Sequence, residues 1–229
     1  MPKVGHSRIS RGFDLVAPIY DLLAAVGSGN RIPRIRRALL PRLPPREKAL
    51  VLGDGTGRFL CELMATGRIR RAVCIDASAG MIAKARARWI TRSEQLKLDP
   101  RSVSFQVAAL PLPNGLAGPY DLVCTNFFLD LFIDAELESI LLQIDTALAP
   151  GAFWYFSDFR YPDAAKQPFA NIASRLLVRI LYTFFGSLSG LGARRLPDIH
   201  SAFHNSGYEP LFESYSTRGI LECKIFQKL

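Results

Sequence analysis

Apolar and polar positions follow two alternating periods through the middle of this chain. Ala49-Leu50-Val51-Leu52 is a short continuous apolar run, and Phe59, Leu60, Leu63 and Met64 follow at helical spacing. That couplet predicts a strand over about 48–52 and a helix over about 57–66. The couplet recurs. Arg71–Asp76 reads as a second strand, and Ser78 can cap a helix that buries Met81, Ile82, Ala85 and Trp89. Residues 102–107 read as a third strand. The stretch 108–119 is rich in Pro and Gly and too short for a full helix. Tyr120–Asn126 has the near-continuous apolar centre of a strand buried on both faces. Leu137, Ile140, Leu141, Ile144 and Leu148 line one side of a helix over 134–148, and Pro150-Gly151 turns into a fifth strand over 152–158. The alternation then stops. Residues 159–196 insert a long apolar helix carrying Arg175 and Arg179. A further helix starts at Pro197-Asp198 and ends at Asn205-Ser206-Gly207, with Gly207 just beyond its end. Strands over 211–215 and 220–226 are joined by Thr217-Arg218-Gly219. The expected fold is α/β: a doubly wound, mostly parallel sheet with one antiparallel strand.

Residues 1–48 read differently, as an N-terminal helical extension. Phe13, Val16, Ala17 and Tyr20 share one helical face, and Gly27-Ser28-Gly29-Asn30 breaks it. Ile32, Ile35, Leu39 and Leu40 suggest a second short helix with Arg34, Arg36 and Arg37 outward. The expected organisation is the extension, 1–48, and a main domain, 49–229, with 159–196 as a helical insertion. The formal net charge of +9 concentrates at this end, where ten Lys/Arg face Asp14, Asp21 and Glu47. Such a region can meet nucleic acid or anionic lipid. No nucleic-acid-binding signature accompanies it, so a solvated basic face is the simpler reading. The cysteines Cys61, Cys74, Cys124 and Cys223 are far apart and show neither metal spacing nor a disulfide framework, which fits a reducing cytoplasm. The first residues lack an apolar signal core, and no run reaches membrane-spanning length.

The chemistry gathers at Gly53-Asp54-Gly55-Thr56-Gly57, between the first strand and its helix. Glycine permits positive φ and close backbone approach, and a helix N-terminus favours an anionic ligand group. The pattern is G-x-G-x-G and not the dinucleotide fingerprint G-x-G-x-x-G, because the sixth position counted from Gly53 is Arg58. Asp76 ends the second strand, 19 residues past Gly57. Ligands of open α/β sheets bind outside the carboxyl ends of the strands, so an acid here can accept from both ribose hydroxyls. The plainer reading is an Asp that caps the next helix.

Four segments in order, Gly53–Gly57, Ile75-Asp76-Ala77-Ser78, Tyr120-Asp121-Leu122-Val123 and Leu148-Ala149-Pro150-Gly151-Ala152, resemble the motifs of the class I S-adenosylmethionine (SAM) methyltransferases. Phe13–Asp21 resembles the opening of the ubiquinone/menaquinone biosynthesis methyltransferases and their small-molecule relatives. The resemblance implies a Rossmann-like seven-stranded sheet of order 3-2-1-4-5-7-6 with the last strand antiparallel. It implies SAM as cofactor, held by Tyr20, Gly53, Asp54, Gly55, Gly57, Asp76, Ala77, Met81, Ala108, Ala109, Leu110, Asn126 and Phe127. Two positions depart from the family pattern. Val51 stands where the family has an acid two residues before the first glycine, and Asp54 can partly replace it or face solvent. The family's adenine-binding acid after strand three is missing from Gln106–Leu110, so Gln106 or a backbone carbonyl would serve.

Asp130 and Asp158 lie at strand ends and can orient or deprotonate an acceptor hydroxyl, or serve as helix caps or ion-pair partners. Phe127 and Phe128 can pack on a ligand or in the core. His200 and His204, at i and i+4, lack a third metal ligand and read as surface or packing residues. The leading expectation is a SAM-dependent methyltransferase with a small aromatic or lipid-like acceptor, the aromatic run from Phe153 to Phe185 supplying the pocket and 166–190 the lid. Peripheral membrane contact through the basic and apolar helices is the second reading for those segments. Three rival functions are weighed: a catalytically silent partner protein of the same fold, an aminopropyltransferase, and an NAD-dependent oxidoreductase, which fails on the glycine spacing. The oligomeric state is left open.

Overall fold

The apolar runs fold as seven strands of one sheet. The computed structural model describes residues 31–162, 171–172, 196–216 and 219–228. The strands are β1 (Arg46–Leu52), β2 (Ile69–Asp76), β3 (Val103–Val107), β4 (Tyr120–Asn126), β5 (Leu148–Phe159), β6 (Tyr208–Tyr215) and β7 (Leu221–Lys228). Their order is β3-β2-β1-β4-β5-β7-β6, as the motif order implied. β1 to β5 run parallel, and β7 is antiparallel to both β5 and β6. The strand order reverses direction between β1 and β4, which opens the crevice where ligands of such sheets bind.

Five helices complete the described fold: α1 (Arg31–Arg37), α2 (Arg58–Ala65), α3 (Ala79–Leu96), α4 (Asp134–Thr146) and α5 (Ile199–Asn205). They cover the two faces of the sheet. On one face Ile32 and Ile35 of α1, Phe59 and Leu63 of α2, and Ile82 and Trp89 of α3 pack on Val51, Cys74, Cys124 and Tyr155. On the other, Leu137 and Ile140 of α4 and Ile199 and Phe203 of α5 pack on Leu52, Val123, Trp154 and Phe156. Side chains alternate faces along a strand, so neighbouring residues of β5 serve opposite cores. Each large side chain so enclosed contributes about 1.5–3 kcal/mol. All four cysteines are buried and free, acting as small core hydrophobes.

Three sequence expectations change here. Trp154, Tyr155 and Phe156 are fully enclosed in the two cores, so they cannot line an acceptor pocket. Leu148 belongs to β5 and not to the preceding helix, and Pro150-Gly151 lies inside that strand. There the register slips between Tyr120 and Leu122, and Gly151 takes φ +71°. The irregularity absorbs three extra residues of β5 where the sequence suggested a turn. Arg36 is not outward: its side chain is only 14% exposed. Tyr20 and the first expected helix lie outside the described residues, as does 173–195, which holds Arg175, Arg179, Phe184 and Phe185. Among the described residues, no helix is long and apolar enough to cross a membrane.

Candidate functional site

The glycine loop sits at the crevice between β1 and β4. Gly53, Gly55 and Gly57 all have positive φ, +64°, +61° and +75°. Their surroundings differ. A Cβ on Gly53 would run into the Phe128 ring, and one on Gly57 would stand 2.8 Å from the Ala85 backbone of α3. On Gly55 it would meet nothing nearer than the Met81 sulfur at 3.8 Å. The sequence offered two reasons for these glycines, positive φ and the approach of a ligand, and the first holds at all three. Gly53 and Gly57 are hemmed in by Phe128 and Ala85, whereas a Cβ on Gly55 would make only an ordinary contact with the Met81 side chain.

Asp76 fastens this loop. Its Oδ2 accepts the Gly55 N–H at 3.1 Å and its Oδ1 the Ser78 N–H at 2.9 Å. Ser78 caps α3, its hydroxyl accepting the Met81 N–H at 3.0 Å. One carboxylate thus ties the loop after β1 to the start of α3 while staying partly exposed at the crevice. Ala77 and Met81 follow on the same turn. Ala108 continues from β3, its N–H donating to the Asp76 carbonyl at 3.0 Å, and Ala109 and Leu110 come next. Gln106 is exposed on β3. By contrast, Asp121 of the Tyr-Asp motif works at the opposite edge of the sheet. It accepts the N–H groups of Glu47 and Lys48 and so registers β1 on β4.

The other flank of the loop holds a buried acid. Asp54 is not at the surface: its side chain is 1% exposed, and Oδ2 accepts the Leu60 N–H of α2 at 2.9 Å. Oδ1 lies 4.0 Å from an Arg36 guanidinium nitrogen, beyond hydrogen-bond reach. Burial pushes the Asp54 carboxyl up to about 6, against the pull of Arg36 and of the Leu60 and Phe59 N–H groups. Val51, at the family's acid position, is core. The Arg36 guanidinium also lies over the Phe127 ring, 5.0 Å from its centroid. Phe127 is buried with φ +54° and meets Phe159 edge-on at 5.1 Å. Phe128 fills the space beside Gly53. Both rings therefore pack on protein. Asn126, which ends β4, is buried, and its Oδ1 has no hydrogen-bond partner among the described residues.

A second polar cluster lies at the carboxyl ends of β4 and β5. Asp158 is fully buried. It accepts the Phe159 N–H at 2.8 Å and the Asp130 N–H, while Oδ2 has no hydrogen-bond partner among the described residues. Burial drives its carboxyl well above the carboxylate range, and Asp130 and Glu222 add to the shift. Glu222, the cross-strand neighbour of Asp158 on β7, is also buried. His200 Nε2 is 2.7 Å from Glu222, with Arg160 at 3.9 Å and Lys224 at 3.8 Å. His200 is at the surface, as expected, and there meets a buried acid. His204 lies 3.8 Å from Glu209.

Sequence reading missed Arg36, Glu222 and the tie to His200. Arg36 carried a usable signal, since Ile32, Ile35, Arg36 and Leu39 stand at i, i+3, i+4 and i+7, on the buried stripe. Glu222 and His200 carried none, since they lie on β7 and α5 and meet only in the folded chain.

Residues 49–151 match the family model of a methyltransferase domain. No curated protein matches the chain's sequence. Among solved structures, the DhpI complex with S-adenosylhomocysteine (SAH) is similar at 17% identity and TM-score 0.65, covering 97% of this chain and 96% of that one. Magnesium protoporphyrin IX methyltransferase (ChlM) from Synechocystis PCC 6803, with bound SAH, is similar at 18% identity and TM-score 0.60, over 89% and 84%. The N-methyltransferase NodS from Bradyrhizobium japonicum WM9, also with SAH, is similar at 15% identity and TM-score 0.57, over 87% and 86%.

Proposed function

We propose, from the premise that residues 49–151 are a class I SAM-dependent methyltransferase domain, that the chain transfers a methyl group to a small aromatic or lipid-like acceptor. The enzyme class and its cofactor come with that domain. The acceptor class is our reading. The observation that carries the reading is Asp76, a partly exposed carboxylate at the end of β2 that is hydrogen-bonded to Gly55, the loop glycine least crowded by its neighbours.

The residues present fit the cofactor. Gly55 leaves room for close approach, Asp76 can accept from both ribose hydroxyls, and Ala77, Met81 and Ala108–Leu110 offer mostly apolar surface for the base. Asn126 brings a buried oxygen in need of a donor. When bound, SAM supplies an electrophilic methyl group, so the chain's task is to position the acceptor and exclude water. Asp130, slightly exposed where Asp158 is not, is the group we assign to receive the acceptor's proton. Asp158 favours its protonated form. A carboxyl that already carries a proton donates a hydrogen bond and does not act as a base, so we assign it the positioning of Asp130. The names of similar proteins support a small acceptor, that of ChlM being magnesium protoporphyrin IX. The membrane-contact reading rests on the basic region 1–48, described from Arg31 on, and on 166–190, described only at 171–172.

Calorimetry with SAM and SAH tests the reading. Asp76→Ala removes charge-assisted hydrogen bonds of about 1.5–3 kcal/mol and weakens binding about 10- to 100-fold. The measurement is made well below each variant's melting temperature, because Asp76 also holds the Gly55 and Ser78 N–H groups. A wild-type protein that binds neither ligand is a silent partner protein. A variant that binds as wild type removes Asp76 from the site.

A further inference from the structure

Three polar atoms flanking the glycine loop lack hydrogen-bond partners among the described residues, and all three are buried: Arg36 Nε, Asp54 Oδ1 and Asn126 Oδ1. Buried polar atoms are nearly always satisfied. These three belong to neighbouring parts of the structure. Arg36 is 4.0 Å from Asp54 and lies over Phe127, the residue next to Asn126. The first two carry opposite charge yet stop short of a hydrogen bond. A pair free to close would gain by closing to about 2.8 Å. Here each is held by another contact, Asp54 by the Leu60 N–H and Arg36 by the Phe127 ring, so the separation is built into the packing.

A fixed cation and a fixed anion, held just too far apart to satisfy each other, suit a ligand group bearing both charges. An amino-acid zwitterion is such a group: its carboxylate meets a guanidinium and its ammonium a carboxylate. The placement agrees with the rest of the site. Asp76 holds the β2 side of the loop, where a ribose would bind, and the Arg36–Asp54 pair holds the β4 side. The family's acid is absent at Val51, which is core and has no polar atom to offer. Arg36 comes from α1, which packs on α2 and β7 and belongs to the same core.

We propose that Arg36 and Asp54 form a split clamp for the amino-acid end of the cofactor, Arg36 taking its carboxylate and Asp54 its ammonium, with Asn126 Oδ1 accepting a further ammonium hydrogen. The proposal rests on the reading of the site as a SAM site. It makes Arg36 a binding residue that lies outside the glycine loop and the domain match. No bond is made or broken in this role.

The experiment compares two ligands that differ only at the end in question. SAH carries the amino-acid group. 5′-Methylthioadenosine has the same nucleoside and sulfur with a methyl group in its place. Both are titrated by calorimetry into wild type, Arg36→Met and Asp54→Asn, with melting temperatures recorded. Met keeps much of the apolar stem of Arg36 on Phe127, and Asn keeps the acceptor for Leu60. The expected result is a 10- to 100-fold loss of SAH affinity in each variant, with methylthioadenosine affinity within about twofold of wild type. Arg36→Lys, which keeps charge but loses the fork, falls between. Equal losses for both ligands would make Arg36 and Asp54 supports of the loop and overturn the clamp. Unchanged SAH binding would overturn it too. Failure of wild type to bind either ligand would instead refute the SAM site itself. If Arg36→Met does not fold, the same two-ligand comparison on Arg36→Lys and Asp54→Asn decides the matter by the same criterion.

Discussion

Asp54 and Asp158 are both buried acids at the carboxyl edge of one sheet, and they solve burial differently. Asp54 has a cation within reach of its field, a helix N-terminus beneath it, and a carboxyl raised to about 6. At neutral pH it is an anion. Asp158 has backbone N–H donors, and the charged groups acting on it are other acids, Asp130 and Glu222. Its carboxyl is driven well above its ordinary value. The cations of that neighbourhood, Arg160 and Lys224, lie against Glu222 one strand over, as does the His200 ring. Burial therefore does not by itself set the chemistry of an acid. The placement of the nearest cation decides whether the site presents a negative charge or a neutral hydrogen-bond donor. At the glycine loop that yields an anion suited to an ammonium. Beside β5 it yields a carboxyl pushed toward its neutral form.

The sharpest way to break this contrast is to remove the acid that holds the cations. Glu222→Ala leaves the nearly buried Lys224 with Glu213 alone and strips Arg160 and His200 of their partner. Breaking a buried pair costs about 3–5 kcal/mol, and denaturant unfolding should show a loss of that order. A loss below about 1 kcal/mol would mean that Glu222 does not organise the cluster.

The next effect comes from pH. Asp54 has its folded value raised to about 6 from 3.8. Between those values the folded state binds more protons than the unfolded state, so stability falls as pH rises through that window and then levels. The fall from this one group is on the order of 2–3 kcal/mol. Asp54→Asn removes it. Melting curves at several values from about pH 4 to 7 should be flatter for the variant, and parallel curves would return Asp54 to an ordinary carboxylate.

The smallest effect at low pH is that of Asp158→Asn, because an amide resembles the protonated acid and keeps the acceptor for the Phe159 N–H. Near pH 4 the variant should match wild type within about 1 kcal/mol. As pH rises, wild type must hold a proton that its unfolded chain releases, so the variant should become the more stable of the two. A variant that grows less stable than wild type with rising pH would show that Asp158 is ionised when folded.

The pattern of apolar runs by itself determined the seven strands, the order of α and β elements, the cap at Ser78 and the place of Gly207 beyond α5, where it takes φ +78°. These depend on periodicity and on short-range backbone chemistry, which a chain carries locally. The glycine loop and Asp76 were legible for the same reason, since one turn joins β1 to α2 and one strand end presents the acid. What only the tertiary structure decided is which side chains meet across long sequence separations. Trp154 and Phe156 went to one core and Tyr155 to the other. Phe128 came to rest on Gly53, and Ala85 on Gly57. Arg36 of α1 met Asp54, and His200 of α5 met Glu222 of β7. Local periodicity shows that a position is buried and leaves its neighbour unnamed. The neighbour sets the charge of a buried acid, and with it what the site can hold.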